Sequence, residues 1–423
     1  MRTTFYIHIG VHKTGSTSIQ QTMLGNRDKL LARGVNYLSI ESNHGPLFIS
    51  LLADVPHKDT RNIRRFVDTP AKARLYNLRN KWLLKSALWR NRSPKFVISG
   101  EGLSSLKAHK VEKLKRLLDP YAAAYRIIVY VRDPYEYANS VSLQRLKSGA
   151  VLGAPGRELL LPQYRRKIQK YIRIFGRENV DIRIFDPRRF VSGDLICDFL
   201  FALGEAPESS NSLEVVRANK SMSHEAAMIL SETNVAIPMS INGLANRERA
   251  FGFHLYVAGI AGEKFSIEPS AYLQQEKLAE ADLQWLHKVL GERAFGRSIP
   301  RPASSPRWSE ATARSIEDLV RQMTVTIQEL KAQGNIQARF TTRLRNALWP
   351  LRRRWSLGRL ADYNFDTELT VPAGLEWLED AIKHPQSGRS QSSLAPDFDQ
   401  ATIRALGCFL HHLAMTIQRL KGL

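Results

Sequence analysis

Residues 5–20 read Phe-Tyr-Ile-His-Ile-Gly-Val-His-Lys-Thr-Gly-Ser-Thr-Ser-Ile-Gln. An apolar β-branched run stops at Gly10, a polar turn follows, and Ser16-Thr17-Ser18 opens a helix. A strand, a glycine-flanked turn and a helix N-terminus bring free backbone N–H groups and the positive end of the helix dipole to one place, which suits an anion. Gly10 and Gly15 have the spacing of the nucleoside-triphosphate loop Gly-x4-Gly-Lys-Ser/Thr, but Ser16 stands where that loop needs lysine. The lysine is Lys13, two residues before the second glycine. Such a turn fits a phosphate group without the Mg-triphosphate arrangement.

A second segment can hold another phosphate. Arg126–Val131 is a buried-strand candidate, and it runs into Arg132-Asp133-Pro134 and a helical stretch. Ser140 follows Arg132 by eight residues, just over two helical turns, and so faces back toward the strand end. A guanidinium at the C-terminal end of a parallel strand and a nearby hydroxyl can grip a phosphate. Asp133 reads as a helix-start residue favoured by the dipole. The alternative for Arg132 is a surface ion pair with Asp133 or Glu136.

Taken together, these two motifs resemble the sulfotransferases that use 3′-phosphoadenosine-5′-phosphosulfate (PAPS), in flavour the bacterial and Golgi carbohydrate enzymes. The resemblance covers about the first half of the chain, with weaker echoes to about residue 295, and His12 stands where proline is often seen. It implies that His12, Lys13, Thr14, Gly15, Ser16, Thr17 and Ser18 bind the 5′-phosphosulfate, and that Arg132 and Ser140 bind the 3′-phosphate. It implies no metal. Sulfuryl transfer is a loose in-line displacement catalysed by positioning and charge, so Lys13 is expected to neutralise the departing 5′-phosphate. The acceptor hydroxyl or amine needs a base, and relatives use a His or Glu from the loops over the sheet. His44, in Glu41-Ser-Asn-His-Gly45, and Glu101, in Ser99-Gly-Glu-Gly-Leu103, are the candidates. His8 lies inside a strand and His12 in the phosphate turn, which places both behind those two.

The elements that must position these residues alternate. Strands are expected at Phe5–Ile9, Lys95–Ser99, Arg126–Val131 and Asp181–Phe185, with a weaker one near Val35–Leu38. Helices are expected at 16–24, 27–32, 71–89, 111–118, 135–148, 158–175 and 194–203. The fold class is therefore α/β: a P-loop-like three-layer domain with a parallel sheet, followed by a mainly helical C-terminal extension containing a duplicated helical unit. We divide the chain into a PAPS-binding core at 1–208, a helical completion at 209–300 and a basic helical extension at 301–423. The duplication shows at offsets of 90–92: Leu283, Trp285 and Leu286 match Leu375, Trp377 and Leu378, while Thr326-Ile327-Gln328 matches Thr416-Ile417-Gln418. Packing of the two copies on each other or on a second subunit is expected.

Net charge is +22, more than one nucleotide can answer, so an acidic partner is expected. Residues 58–92 hold eleven Lys or Arg against Asp59 and Asp68. Arg74, Arg79, Lys81 and Lys85 of this stretch are expected to flank the cleft of an anionic saccharide or glycoconjugate acceptor. Residues 339–359 hold seven arginines, no carboxylate and interleaved tryptophans, a pattern for peripheral contact with an anionic membrane. Two cysteines, Cys197 and Cys408, exclude a disulfide framework. A strand beginning by residue 5 leaves no room for a signal segment, so a cytoplasmic location is expected, with possible contact with the inner membrane face. Two other readings compete: a P-loop nucleotide kinase or NTPase, which the misplaced lysine opposes, and a basic non-catalytic binder of nucleic acid or anionic surfaces, for which no nucleic-acid-reading motif is present. From Lys13 inside the phosphate turn, Lys13→Ala is expected to abolish sulfuryl transfer with the fold intact. Near-normal turnover of PAPS by a folded mutant would remove the lysine from the chemistry.

Overall fold

The computed structural model describes residues 3–90, 93–153, 159–216, 222–295, 308–348, 369, 371–372, 375–386 and 398–421, with the backbone alone at 90 and 334–348. The arginine- and tryptophan-rich stretch 339–359 thus lies outside the described side chains. The chain divides into two compact units. One comprises Met1–Val141, Leu159–Asn219 and Glu268–Pro300; the other comprises Ser142–Glu158, Lys220–Ile267 and Arg301–Leu423. Residues 209–300, grouped together in the sequence reading, are shared between both.

The first unit is built on five parallel strands, β1 (Thr3–Gly10), β2 (Val35–Tyr37), β3 (Lys95–Glu101), β4 (Ala122–Val131) and β5 (Val180–Ile184), in the order β2-β3-β1-β4-β5. Alternate residues serve opposite faces. Phe5, Ile7, Ile9, Phe96, Ile98, Ile127 and Val129 join one core with Val111, Leu114, Ile168 and Leu286. Val97, Ile128 and Tyr130 join the other with Ile19, Met23, Ile196 and Phe199. Helices on both faces are what a fully buried parallel sheet requires. From β1 the chain moves to one side of the sheet and from β4 to the other, so a crevice opens between the loops that follow these two strands.

The expected strands form, extended by one to four residues at some ends and ending one residue early before Leu38 and Phe185. The expected helix at 158–175 begins only at Tyr164. Pro162 precedes it, and Gln163 takes a left-handed φ of 54° that breaks the helix there. A helix not expected from the sequence, Gly45–Leu52, forms after β2. Asp194 caps the helix Leu195–Ala202 by accepting from the N–H groups of Ile196 and Cys197 at 2.8 and 3.1 Å. Cys197 and Cys408 are both free.

The second unit is helical. Residues 224–236, 310–348 and 400–420 are helices. The two apolar faces of the duplicated pattern, Ile316, Met323 and Ile327 in one and Leu406, Phe409, Leu413 and Ile417 in the other, lie in one core, with Leu319, Leu330 and Leu420 packed against it. The front of the duplication parts company: Leu286 belongs to the first unit's core, whereas Leu375 and Leu378 belong to the second's. Among the described residues no helix is long and apolar enough to cross a membrane.

One buried charge joins strands and helix in the first unit. Asp198 accepts from Arg183 Nε and Nη2 at 2.6 and 2.7 Å, from Tyr130 Oη at 2.8 Å and from the Val191 N–H at 3.1 Å. Burial and this carboxylate drive the Tyr130 hydroxyl well above its ordinary pKa. Removing one partner of such a network strands the others, so Asp198→Ala is expected to cost about 3–5 kcal/mol. Chemical denaturation checks it; a loss under about 1 kcal/mol would mean that the cluster contributes little.

Candidate functional site

The turn expected to hold a phosphate, residues 11–15, follows β1 at the crevice. Gly10, the last residue of β1, pairs in register with Glu101, the last of β3. A Cβ on Gly10 would come within 2.9 Å of Ser16 Oγ and 3.4 Å of Glu101 Cα, so the position is closed to larger residues. Thr14 Oγ1 donates to the Val11 carbonyl at 2.7 Å and closes the turn. Lys13 and Gly15 both have left-handed φ, 68° and 74°. For lysine that conformation is strained by about 1–2 kcal/mol. Gly15 is sterically required as well, because a Cβ would lie 2.3 Å from Leu195 Cδ2 and 2.9 Å from Phe185 Cε2.

The helix Ser16–Gly25 then starts with no side-chain cap. Ser16 Oγ is buried and has no hydrogen-bond partner among the described residues. Leaving a buried hydroxyl unmade costs about 1–3 kcal/mol, so an orphan at an uncapped helix N-terminus marks a place where a ligand oxygen would fit. Thr17 and Ser18 occupy the same first turn.

Arg132 is held at its backbone by Tyr164, whose hydroxyl accepts from the Arg132 N–H at 2.7 Å and donates to its carbonyl at 2.5 Å. Asp282 in turn accepts from the N–H groups of Tyr164 and Arg165 at 2.5 and 2.8 Å. The guanidinium crosses to the phosphate turn: Nη1 donates to the Lys13 carbonyl at 3.2 Å. Nη2 donates to Glu136 at 3.0 Å, and the group lies 5.5 Å from the Phe185 ring centroid. Asp133 Oδ1 accepts from the N–H groups of Tyr135 and Glu136, both at 3.0 Å, and so caps the helix Pro134–Lys147. Ser140 is half-buried two turns along that helix and makes no hydrogen bond to Arg132 or the phosphate turn among the described residues.

Glu101 and His44 meet different environments. The Glu101 carboxylate is partly exposed and lies 3.8 Å from His12 Nδ1. Burial lowers the pKa of His12, Glu101 opposes this, and the charges of Lys167, Lys13 and Arg61 add to the lowering. At neutral pH the ring is uncharged and offers a lone pair. His44, by contrast, is fully buried, with its pKa pushed down to about 4 by burial. Its Nδ1 accepts from the Ser99 N–H at 2.9 Å, and Nε2 donates to the Leu38 carbonyl at 2.7 Å. Both nitrogens are engaged, so His44 has no position from which to act as a base. Its own backbone N–H donates to the Ser99 carbonyl at 2.8 Å, so the residue ties its loop to β3. Beside it, Asn43 Oδ1 accepts from the N–H groups of Glu101 and Gly45 at 3.0 and 2.9 Å.

Two lysines passed over in the sequence are linked to these residues. Lys167 and Lys170, on the helix Tyr164–Phe175, have pKa values lowered to about 8, mainly by burial. Lys170 Nζ donates to the Ser104 carbonyl at 2.7 Å, and Ser104 Oγ donates to the Gly10 carbonyl at 3.1 Å. Lys167 is buried, its ammonium 5.5 Å from the Tyr137 ring centroid. The signal for it was present: Lys167 interrupts an apolar stripe of Tyr164, Ile168, Tyr171 and Phe175 at helical spacing, and a lysine there must point inward.

No family model matches the chain. An uncharacterized protein of Archaeoglobus fulgidus is 25% identical over 145 residues, which is 34% of this chain and 39% of that protein. The chain thus matches well under half of that relative's length. The crystal structure of a sulfotransferase from Alicyclobacillus acidocaldarius, at 16% identity, covers 56% of this chain and 95% of its own, with a TM-score of 0.28. That TM-score is too low for the likeness to bear on activity.

His44→Ala is expected to leave the Ser99 N–H and the Leu38 carbonyl buried and unpaired, at about 1–3 kcal/mol each. Thermal unfolding reads this out. An unchanged melting temperature with lost activity would return His44 to the list of bases.

Proposed function

We propose that the first unit is a PAPS-dependent sulfotransferase acting on a hydroxyl or amine of a carbohydrate or glycoconjugate acceptor. The observation that carries the reading is the buried, unpartnered Ser16 hydroxyl at an uncapped helix N-terminus, inside a turn whose glycines a Cβ would foul. PAPS, when bound, supplies an activated sulfuryl group on its 5′-phosphate. Backbone N–H groups from Gly15 to Thr17 and the Ser16, Thr17 and Ser18 hydroxyls hold that phosphate, while Thr14 keeps the turn closed. Lys13 balances the charge that develops on it.

Arg132, with Ser140, holds the 3′-phosphate, and Glu136 keeps the guanidinium oriented in the meantime. The acceptor proton goes to the His12–Glu101 pair: His12 Nδ1 or a Glu101 carboxylate oxygen receives it, and the second group stabilises the charge that results. Lys170 and Arg61, with the buried charge of Lys167 behind them, make a cationic surrounding that suits an acceptor bearing carboxylate or sulfate groups. Metal-holding clusters of three or more His, Cys, Asp or Glu are absent among the described residues, and the steps above use none.

Calorimetry with adenosine 3′,5′-bisphosphate and with Mg-ATP tests the reading. The bisphosphate is expected to bind more tightly, and Arg132→Ala to weaken it by about 1.5–3 kcal/mol, with little effect on adenosine 5′-phosphosulfate. Ser140→Ala is expected to lose less. Tighter binding of Mg-ATP would point to a kinase or NTPase, and binding of neither nucleotide would leave a basic, non-catalytic surface protein.

A further inference from the structure

The helix Pro70–Arg90 in the first unit carries a surface that the proposed reaction does not use. Ala73, Asn80 and Leu84 are buried and define its inward side. At 3.6 residues per turn, Leu75, Leu78, Trp82 and Trp89 fall together on the opposite side, within an arc of about 60°. They are 71%, 58%, 60% and 73% exposed. Arg74, Lys81 and Lys85 flank this stripe on one side, Lys72 and Arg79 on the other, and the helix holds no Asp or Glu. Lys72 is paired with Asp68. Arg74, Arg79, Lys81 and Lys85 are exposed and have no carboxylate within ion-pair distance among the described residues.

We propose that this helix docks the protein on an anionic lipid bilayer, lying in the headgroup layer with the leucines and tryptophans entering the acyl boundary. The placement of charge favours a bilayer over a soluble polyanion. A polyanion is best met by cations at the crest of the helix, but here the crest is apolar and the cations stand on both flanks. From those flanks long basic side chains reach phosphate groups while their stems lie along the apolar stripe. Tryptophan at the crest suits the interface, where an apolar ring and a polar N–H are both satisfied. The face is turned away from the core, so docking requires no unfolding.

Flotation of the full chain with phosphatidylcholine vesicles, with and without phosphatidylglycerol, tests this at about 0.1 M salt. The chain is expected to float only with the anionic vesicles. Combined Leu75→Ser, Trp82→Ser and Trp89→Ser should lower the partition coefficient at least about tenfold without lowering the melting temperature, since the positions are exposed. Combined Arg74→Ser, Lys81→Ser and Lys85→Ser should lower it about a hundredfold. Three results would overturn the proposal. One is failure of the unaltered chain to float with anionic vesicles. Another is undiminished binding by the stripe variant, which would assign any membrane contact to another segment. The third is a stripe variant that loses affinity for a sulfated polysaccharide but not for vesicles, which would make the helix part of acceptor recognition.

Discussion

The contact between the Arg132 guanidinium and the Lys13 carbonyl, 3.2 Å long, joins two loops that leave the sheet on opposite sides of its switch point. Everything proposed for the site depends on those loops keeping one geometry. The same region is pinned by sterics: Phe185 fills the space over Gly15 and lies beside the guanidinium, so an aromatic side chain after β5 packs against both loops. The strain of Lys13 in the left-handed region is held by this surrounding packing, as expected where a turn must present backbone N–H groups outward.

Around that contact the charges are arranged unequally. Glu136 pairs with Arg132, while His12 feels the Glu101 carboxylate on one side of the balance and Lys13, Arg61 and Lys167 on the other. Burial does most to lower the pKa of His12, and the surrounding cations add to that lowering against the opposing effect of Glu101. The depressed lysines set a limit on this field. As pH rises through about 8, Lys167 and Lys170 lose their charge, and it weakens with them.

The second unit obeys a simpler constraint. Its helices are amphipathic, and the two copies of the repeated face can be buried only against other apolar surfaces; they share one core. The repeat nevertheless does not duplicate a domain, since the Leu283–Leu286 segment serves a different core from its Leu375–Leu378 counterpart. Sequence periodicity records which faces must be covered. It does not record by what.

The same distinction runs through the whole chain. Alternating apolar runs, glycine punctuation and hydroxyl-rich helix starts were enough to read the parallel sheet and the helices over it, because these depend on local geometry and on patterns a few residues long. The turn and helix start of Gly10–Ser18 were legible for the same reason: the glycines, the lysine and the hydroxyls all lie within one short stretch. The helix Gly45–Leu52 was missed, since glycine and proline open it and an apolar run that short fits a strand equally well. His44 and Glu101 were both candidate bases in the sequence, with Glu101, between two glycines just past a strand, the better placed. Only the tertiary structure separated them, by burying one with both nitrogens bonded and leaving the other beside His12. Lys167, Arg61 and Phe185 enter the site from distant segments. Their proximity is set by the sheet order and by side-chain packing across it, and no spacing along the chain encodes either.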